Sequence, residues 1–122
     1  MDILEGNTDS CKLHRQDSDP EAYLQENDMF ALCLVISQNL ENFVELEIQN
    51  DVLDANHLSN LASAITSNSH MERLSLVNDS IDDHGIQNLS GALVENNPLL
   101  ELNLSQNMYS YNFSNIFSKA IL

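Results

Sequence analysis

Residues 71–98 read MERLSLVNDSIDDHGIQNLSGALVENNP, and this stretch occurs in altered form on both sides of itself. The preceding copy, residues 43–70, reads FVELEIQNDVLDANHLSNLASAITSNSH. The following copy, residues 99–122, reads LLELNLSQNMYSYNFSNIFSKAIL and is shorter than the others. The period is 28 residues, which is typical of proteins built by stacking one structural unit on the next.

Each copy begins with alternating apolar and polar residues. The apolar positions are Leu46 and Ile48, Leu74 and Leu76, and Leu102 and Leu104. Alternation of this kind is the period of a strand with one buried face. It predicts strands centred on residues 45–48, 73–76 and 101–104.

The second half of each copy has helical spacing. In the first copy, Leu58, Leu61 and Ile65 fall on one face of a helix. A residue type that caps helix N-termini well precedes each such segment: Asp54, Asp82 and Ser110. We therefore expect helices near residues 56–66, 84–95 and 112–121.

These residues resemble the leucine-rich repeat of the ribonuclease-inhibitor-like class, LxxLxLxxNxLxxxGxxxLxxxLxxNxx. The second copy fills that pattern with Met71, Leu74, Leu76, Ile81, Gly85, Ile86, Leu89, Leu93 and Asn96. The resemblance covers residues 43–122 and implies an α/β fold, a short solenoid with a concave parallel sheet and convex helices. It also implies a role in protein binding. A delivered effector of an intracellular bacterium is one context that such a short, acidic repeat protein would fit.

Two columns depart from that pattern. The family's asparagine column reads Asp51, Asp79 and Asn107, and its glycine column reads His57, Gly85 and Phe113. An asparagine side chain both donates and accepts hydrogen bonds, whereas an ionised aspartate only accepts. Either the two aspartates lie at the surface, or the hydrogen bonds of this column are re-routed.

The chain before the repeats divides into two parts. Residues 1–17 are polar, charged and aperiodic, which predicts a disordered tail. Residues 18–42 are predicted to form an N-terminal helical cap, because Ser18 and Glu21 have the spacing of a capping box. A cap would cover the core of the first repeat.

The cap's helix is predicted over residues 20–40, with a break near Asn27 and Asp28 as an alternative. Its apolar run, residues 29–36, indicates burial on more than one side, with Cys33 as a buried hydrophobic residue. Ile36 and Asn39 have the same spacing as Ile65 and Asn68 of the first copy. The cap is therefore also interpreted as the helical half of a degenerate repeat.

Composition limits the classes of partner and compartment. A net charge of −15 argues against binding nucleic acid or anionic membranes, and it favours a basic protein partner or simple solubility. The two cysteines and the absence of a signal peptide at the N-terminus predict a cytoplasmic protein, with delivery into a host cell left open.

Residues for catalysis or cofactor binding are not marked by any motif. The four histidines lack metal-ligand spacing, and the three glycines form no phosphate loop. Asp82 and Asp83 read as the start of a helix rather than as metal ligands. We therefore expect no enzyme activity, no cofactor and no metal.

Strand alternation predicts the partner-binding side chains of the concave face. They are Glu45, Glu47, Gln49, Arg73, Ser75, Val77, Glu101, Asn103 and Ser105. Equivalent positions on neighbouring strands place Arg73 between Glu45 and Glu101. This trio reads either as a charged contact point or as an ion ladder that neutralises itself. The predicted function is a non-catalytic protein–protein interaction module.

Two other functions are compatible with the sequence. The third copy is predicted to end inside a helix. An unpaired edge at strand 101–104 would favour self-assembly, docking of a partner there, or a homodimer through this repeat. The second alternative is a regulator resembling GTPase activators, since one family of those shares this repeat class and acidity.

Overall fold

A computed structural model of the chain describes residues 10–14, 23–38, 43–95, 99–110 and 120–121. The elements are β1 (Ser10–His14), α1 (Glu26–Ser37), β2 (Glu45–Gln49), α2 (Ala55–Thr66), β3 (Arg73–Val77), α3 (Asp83–Glu95), β4 (Glu101–Asn103) and β5 (Ala120–Ile121). Strands and helices alternate from β1 to β4, so that one strand and the helix after it make one structural unit. The fold class is α/β, as predicted.

All five strands are parallel, and their order across the sheet follows their order in the chain. The register pairs equal positions of successive repeats, so Leu46 lies beside Leu74 and Leu74 beside Leu102. The 28-residue period of the sequence is therefore the step from β2 to β3 and from β3 to β4. The predicted parallel strands β2, β3 and β4 are confirmed.

The helices form a second layer, in which α1 packs on α2 and α2 packs on α3. Alternate strand residues and the apolar stripes of the helices share one buried core. Its strand members are Cys11, Leu13, Leu46, Ile48, Leu74, Leu76 and Leu102. The opposite side of the sheet carries the polar strand residues, and we call it the open face.

The starts of α2 and α3 are fixed by the aspartates that the sequence marks as caps. The side chain of Asp54 accepts a hydrogen bond from the His57 amide at 2.9 Å, and Asp82 accepts one from the Gly85 amide at 2.9 Å. Each bond satisfies an amide that has no partner within its own helix. Both predicted caps are confirmed, while the helix predicted after Ser110 falls mostly on residues outside those described.

Gly85 is required where α3 approaches α2. A Cβ atom at this position would lie 2.5 Å from Leu58 Cδ1 and 3.1 Å from Ile81 Cγ2. Any side chain would therefore displace a buried leucine. This close approach explains the glycine of the second copy.

The prediction of a disordered tail is wrong for residues 10–14, which form β1. Cys11 and Leu13 are buried and lie beside Leu46 and Ile48 of β2. The alternation of apolar and polar residues in this short strand extends the apolar columns of the repeats. It is hard to find in the sequence because Ser10 pairs with Glu45, farther along the chain than the 28-residue period.

The predicted cap corresponds to α1, but the helix is shorter than expected. Residues 23–25 are not helical, Gln25 is the N-cap, and Asn27 and Asp28 lie in the first turn without a break. The expected capping box of Ser18 and Glu21 lies outside the described residues. Because α1 follows β1, it is the helical half of a strand–helix unit, as the second interpretation of the sequence proposed.

Burial of α1 on more than one side is also a wrong prediction. Met29, Leu32 and Ile36 are buried, whereas Phe30 and Leu34 are exposed on another side of the helix. Cys33 is only partly buried, and its partial burial raises the pKa of its thiol.

The C-terminal prediction needs two corrections. Residues 120–121 form β5 and not the end of a helix, and Leu102 of β4 lies beside Ala120. The outer edge of β4 is therefore paired with another strand, so its backbone groups there are not left without partners. Residues 111–119, which contain most of the expected third helix, lie outside the described residues.

Asp51 and Asp79 are both buried. The interpretation that places these two aspartates at the surface is therefore wrong. Their hydrogen bonds differ from those of Asn107, as described below.

Candidate functional site

The open face contains a shallow hollow of about 460 Å³ at its centre. Its polar lining comes from three adjacent strands: Glu45 and Glu47 of β2, Arg73 and Ser75 of β3, and Glu101 and Asn103 of β4. These six residues belong to the nine that strand alternation predicts for this face. The parallel register brings them together because they occupy equivalent positions of successive strands.

The other three predicted residues lie beyond the hollow, toward the carboxyl ends of the strands. Gln49 and Val77 are neighbours in the register of β2 and β3. Ser105 lies just after β4, in a turn, and its hydroxyl donates a hydrogen bond to Asn103 Oδ1 at 2.8 Å. All three are partly buried.

Glu45 is the centre of an ion-pair network. Its carboxylate lies 2.8 Å from Arg73 Nε and 3.5 Å from Lys12 Nζ. The hydrogen bond from Arg73, together with the charge of Lys12, holds the pKa of Glu45 below its usual value, although desolvation opposes the shift. Glu45 is therefore an ionised group whose charge is largely balanced within the protein.

Lys12 and His14 join this face from β1, although they are not among the nine residues predicted for it. His14 Nε2 lies 2.6 Å from Glu47 Oε2, so β1 supplies a partner to both glutamates of β2. The signal for both residues was the apolar-x-apolar spacing of Cys11 and Leu13, because alternation then places Lys12 and His14 on the open face.

The two sides of the hollow differ in ion pairing: Glu45 and Glu47 of β2 have ion-pair partners, whereas among the described residues Glu101 of β4 has none. Arg73 lies between Glu45 and Glu101 in the register, as predicted, but its hydrogen bond is to Glu45. That bond, with the charges of Glu72 and Glu101, raises the pKa of the Arg73 guanidinium. Within the described part of the chain, Glu101 is exposed and forms no ion pair.

Chemically, the hollow offers carboxylates, a guanidinium, an amide and a hydroxyl held on strands. Such groups recognise charged and polar surfaces through directional hydrogen bonds. Across the residues that the structure describes, no group of three or more His, Cys, Asp or Glu is placed to hold a metal ion.

A second surface lies between α1 and α2. It is a groove of about 480 Å³ whose lining includes Glu26, Phe30, Cys33 and Ala64. Phe30 is 66% exposed, and Leu34, on the same helix, is 50% exposed. This surface was not predicted, because an apolar run such as residues 29–36 indicates burial on more than one side of the helix.

No family model and no curated protein sequence matches the chain. Among the helices in the described ranges, none combines the length and the apolar character needed to cross a membrane.

Proposed function

We propose that the chain is a leucine-rich-repeat protein of the ribonuclease-inhibitor-like class and forms a short solenoid with the open face on its concave side. Two observations support this. Equivalent residues of successive copies pair in the parallel sheet, and neighbouring helices pack on one another in chain order. On this proposal, β1 and α1 are the first unit of the array and take the place of a separate cap.

We further propose that the protein is a non-catalytic interaction module that binds a protein partner through the open face. The observation that carries this proposal is the hollow lined by six polar side chains from three strands. The pairs of Glu45 with Arg73 and of His14 with Glu47 fix several of these side chains before binding. A surface organised in advance loses less conformational entropy when a partner binds.

The partner is proposed to be basic where it meets β4. Glu101 is exposed beside the hollow and can accept charge-assisted hydrogen bonds from a lysine or arginine. The net charge of −15 would also steer a basic partner toward the protein and speed association at low salt. The paired charges of β1, β2 and β3 would then set the orientation of the partner.

The groove between α1 and α2 supports a second candidate surface. Phe30 lines this groove and is exposed, and Leu34 is exposed on the same helix. Exposed apolar side chains of this kind are typical of sites where proteins associate. A partner bound in the groove would contact Phe30 together with neutral polar side chains such as Asn27 and Asn60. The pairing of β4 with β5 removes the reason to favour docking or dimerisation at the edge of β4, and no contact described here favours a GTPase activator.

Affinity capture with matched charge reversals distinguishes the two surfaces. Glu101→Lys changes the open face, whereas Glu26→Lys makes the same change beside the α1–α2 groove. Both side chains are exposed, so both variants should fold, which far-UV circular dichroism and thermal unfolding would check. Phe30→Ser removes an apolar side chain from the groove and tests whether a partner contacts it there.

The open-face proposal predicts that one partner is captured by the unmodified protein and by Glu26→Lys and Phe30→Ser, but is depleted with Glu101→Lys. Depletion with Phe30→Ser alone would instead place the partner in the groove. Capture that none of the three substitutions changes would contradict both proposals.

A further inference from the structure

The loops that follow β2, β3 and β4 contain Asp51, Asp79 and Asn107 at equivalent positions. Asn107 uses both ends of its amide. Its Nδ2 donates hydrogen bonds to the carbonyls of Leu76 at 2.7 Å and Leu104 at 2.9 Å. Its Oδ1 accepts hydrogen bonds from the amides of Asp79 at 2.9 Å and Ile81 at 3.0 Å. One side chain therefore ties the β3–α3 loop to the chain after β4.

Asp79 has the same position one repeat earlier, but its side chain keeps only one of these four hydrogen bonds. Its side chain is 0% exposed, and its Oδ1 accepts a hydrogen bond from the Asp51 amide at 3.0 Å. Its Oδ2 is buried without any hydrogen-bond partner. An asparagine at this position would place Nδ2 there as a donor, as Asn107 does. By the repeat, its acceptor would be the carbonyl of Ile48, which corresponds to Leu76.

Asp51 shows that a buried carboxylate can be satisfied in this column. Its Oδ1 accepts hydrogen bonds from the amides of Leu24 at 3.1 Å and Val52 at 2.8 Å, and its Oδ2 accepts a second contact from the Leu24 amide at 3.3 Å. Both of its oxygens therefore face donors. Asp79 differs because an ionised Oδ2 would be an acceptor that lacks a donor in a buried site, which is costly.

The electrostatic surroundings of Asp79 also disfavour its ionised form. Burial raises its pKa to about 8; the hydrogen bond from the Asp51 amide opposes this shift, and the negative charge of Asp51 adds to it. Among the described residues, Asp51 is the charged group that acts on Asp79. In the next repeat, Asn107 is neutral, and its Oδ1 accepts a hydrogen bond from the Asp79 amide.

We propose that Asp79 is protonated in the folded protein and that its Oδ2–H donates a hydrogen bond to a main-chain carbonyl, that of Ile48, in place of the missing asparagine amide. The contact between the β2–α2 and β3–α3 loops then depends on one bound proton. Deprotonation leaves a buried, unpaired charge in this contact, which makes it a pH-sensitive part of the fold. This inference does not depend on the proposed partner-binding function.

The direction of the pH dependence follows from the raised pKa. Between the ordinary value of 3.8 and about 8, the folded state holds a proton that the unfolded state has released. Over this range the contribution of Asp79 to the folding equilibrium constant falls about tenfold for each unit of rising pH. The contribution is complete below pH 3.8, is lost by about pH 8 and is constant above it.

Urea denaturation of the unmodified protein and of Asp79→Asn, from pH 5 to pH 9, tests this proposal. The asparagine restores a permanent donor, so the variant should gain stability relative to the unmodified protein as pH rises. The ratio of their folding constants should change about tenfold per pH unit and level off near the folded-state pKa. Asp51→Asn is the control at the equivalent position. Its stability should still fall with rising pH but level off at a lower pH, because the negative charge of Asp51 adds to the raised pKa of Asp79.

A ratio that does not vary with pH would overturn the proposal. If Asp79→Asn fails to fold, carboxyl carbon NMR of the unmodified protein provides the answer, because a titration midpoint near 4 for Asp79 would exclude the bound proton. Stabilisation at pH 8 by millimolar calcium, absent in Asp79→Asn, would also overturn it, since Oδ2 would then be a cation ligand.

Discussion

The two sides of strand β3 differ in burial and in polarity. Leu74 is 1% exposed and belongs to the core shared with the helices. Arg73, the preceding residue, lies on the open face, where it bonds Glu45. Because side chains alternate along a strand, one short segment serves both purposes. Stability depends on one side of the sheet, and the proposed recognition depends on the other.

This comparison predicts that substitutions on the two sides change different measurements. On the helix side they should lower the free energy of unfolding, because they remove buried contacts. On the open face they should alter partner binding with little change in stability, because the side chains there are partly solvated. The predictions below run from the largest expected effect to the smallest.

Leu74→Ala should lower the free energy of unfolding by about 2–5 kcal/mol, since it removes buried methyl groups and leaves a cavity between two neighbouring repeats. Urea denaturation at fixed pH measures this. A loss below about 0.5 kcal/mol, a value typical of surface substitutions, would show that Leu74 does not face the core.

Gly85→Ala should destabilise the protein by about 1–3 kcal/mol, because the new methyl group would overpack the site against Leu58. Gly91→Ala is the matched control in the same helix. Apart from its chain neighbours and the backbone of its own helix, no described atom lies within 4 Å of the position that its Cβ would take, so the substitution should stabilise the protein by about 0.5–1 kcal/mol. Equal melting temperatures for the two variants would contradict the close packing of α2 on α3.

Arg73→Ala should lower the free energy of unfolding by about 1 kcal/mol or less, because its ion pair with Glu45 is partly exposed to solvent. The same denaturation experiment, repeated at low and high salt, would show the small loss shrinking as salt screens the pair. A loss equal to that of Leu74→Ala would mean that the sides of the strand are assigned in the wrong register.

Glu101→Lys should change the free energy of unfolding by no more than about 0.5 kcal/mol, which is the usual range for a surface residue. Thermal unfolding of Glu101→Lys, compared with that of Glu26→Lys, measures the effect of replacing a negative charge by a positive one. Cooperative unfolding lost in Glu101→Lys alone would indicate that Glu101 supports the fold instead of a partner.

The sequence predicts those parts of the fold that occur in two or more copies of the repeat. The strand positions of Leu46, Leu74 and Leu102 follow from one column, and strand alternation then places Arg73 between Glu45 and Glu101. The parallel register came from the resemblance, and the structure confirms it. Six of the nine predicted side chains meet in the hollow for the same reason.

Other parts could not be predicted, either because they lack a second copy at the expected distance or because they depend on packing that a sequence pattern does not specify. Strand β1 is separated from β2 by more than one period, so the alternation of Cys11 and Leu13 had no register to be compared with. Lys12 and His14 were missed with it. The exposure of Phe30 depends on how α1 rests on α2, which an apolar run does not specify. The unpaired oxygen of Asp79 needs atomic positions.

Carboxyl footprinting of the captured complex tests most directly whether the open face binds the partner. The chain is labelled with a carbodiimide and an amine, alone and in the complex, and modification is measured for Glu101 and Glu26 by mass spectrometry. We predict that labelling of exposed Glu101 falls in the complex while that of Glu26 is unchanged. Protection of Glu26 with Glu101 labelled equally in both states would contradict the account and assign binding to the α1–α2 groove.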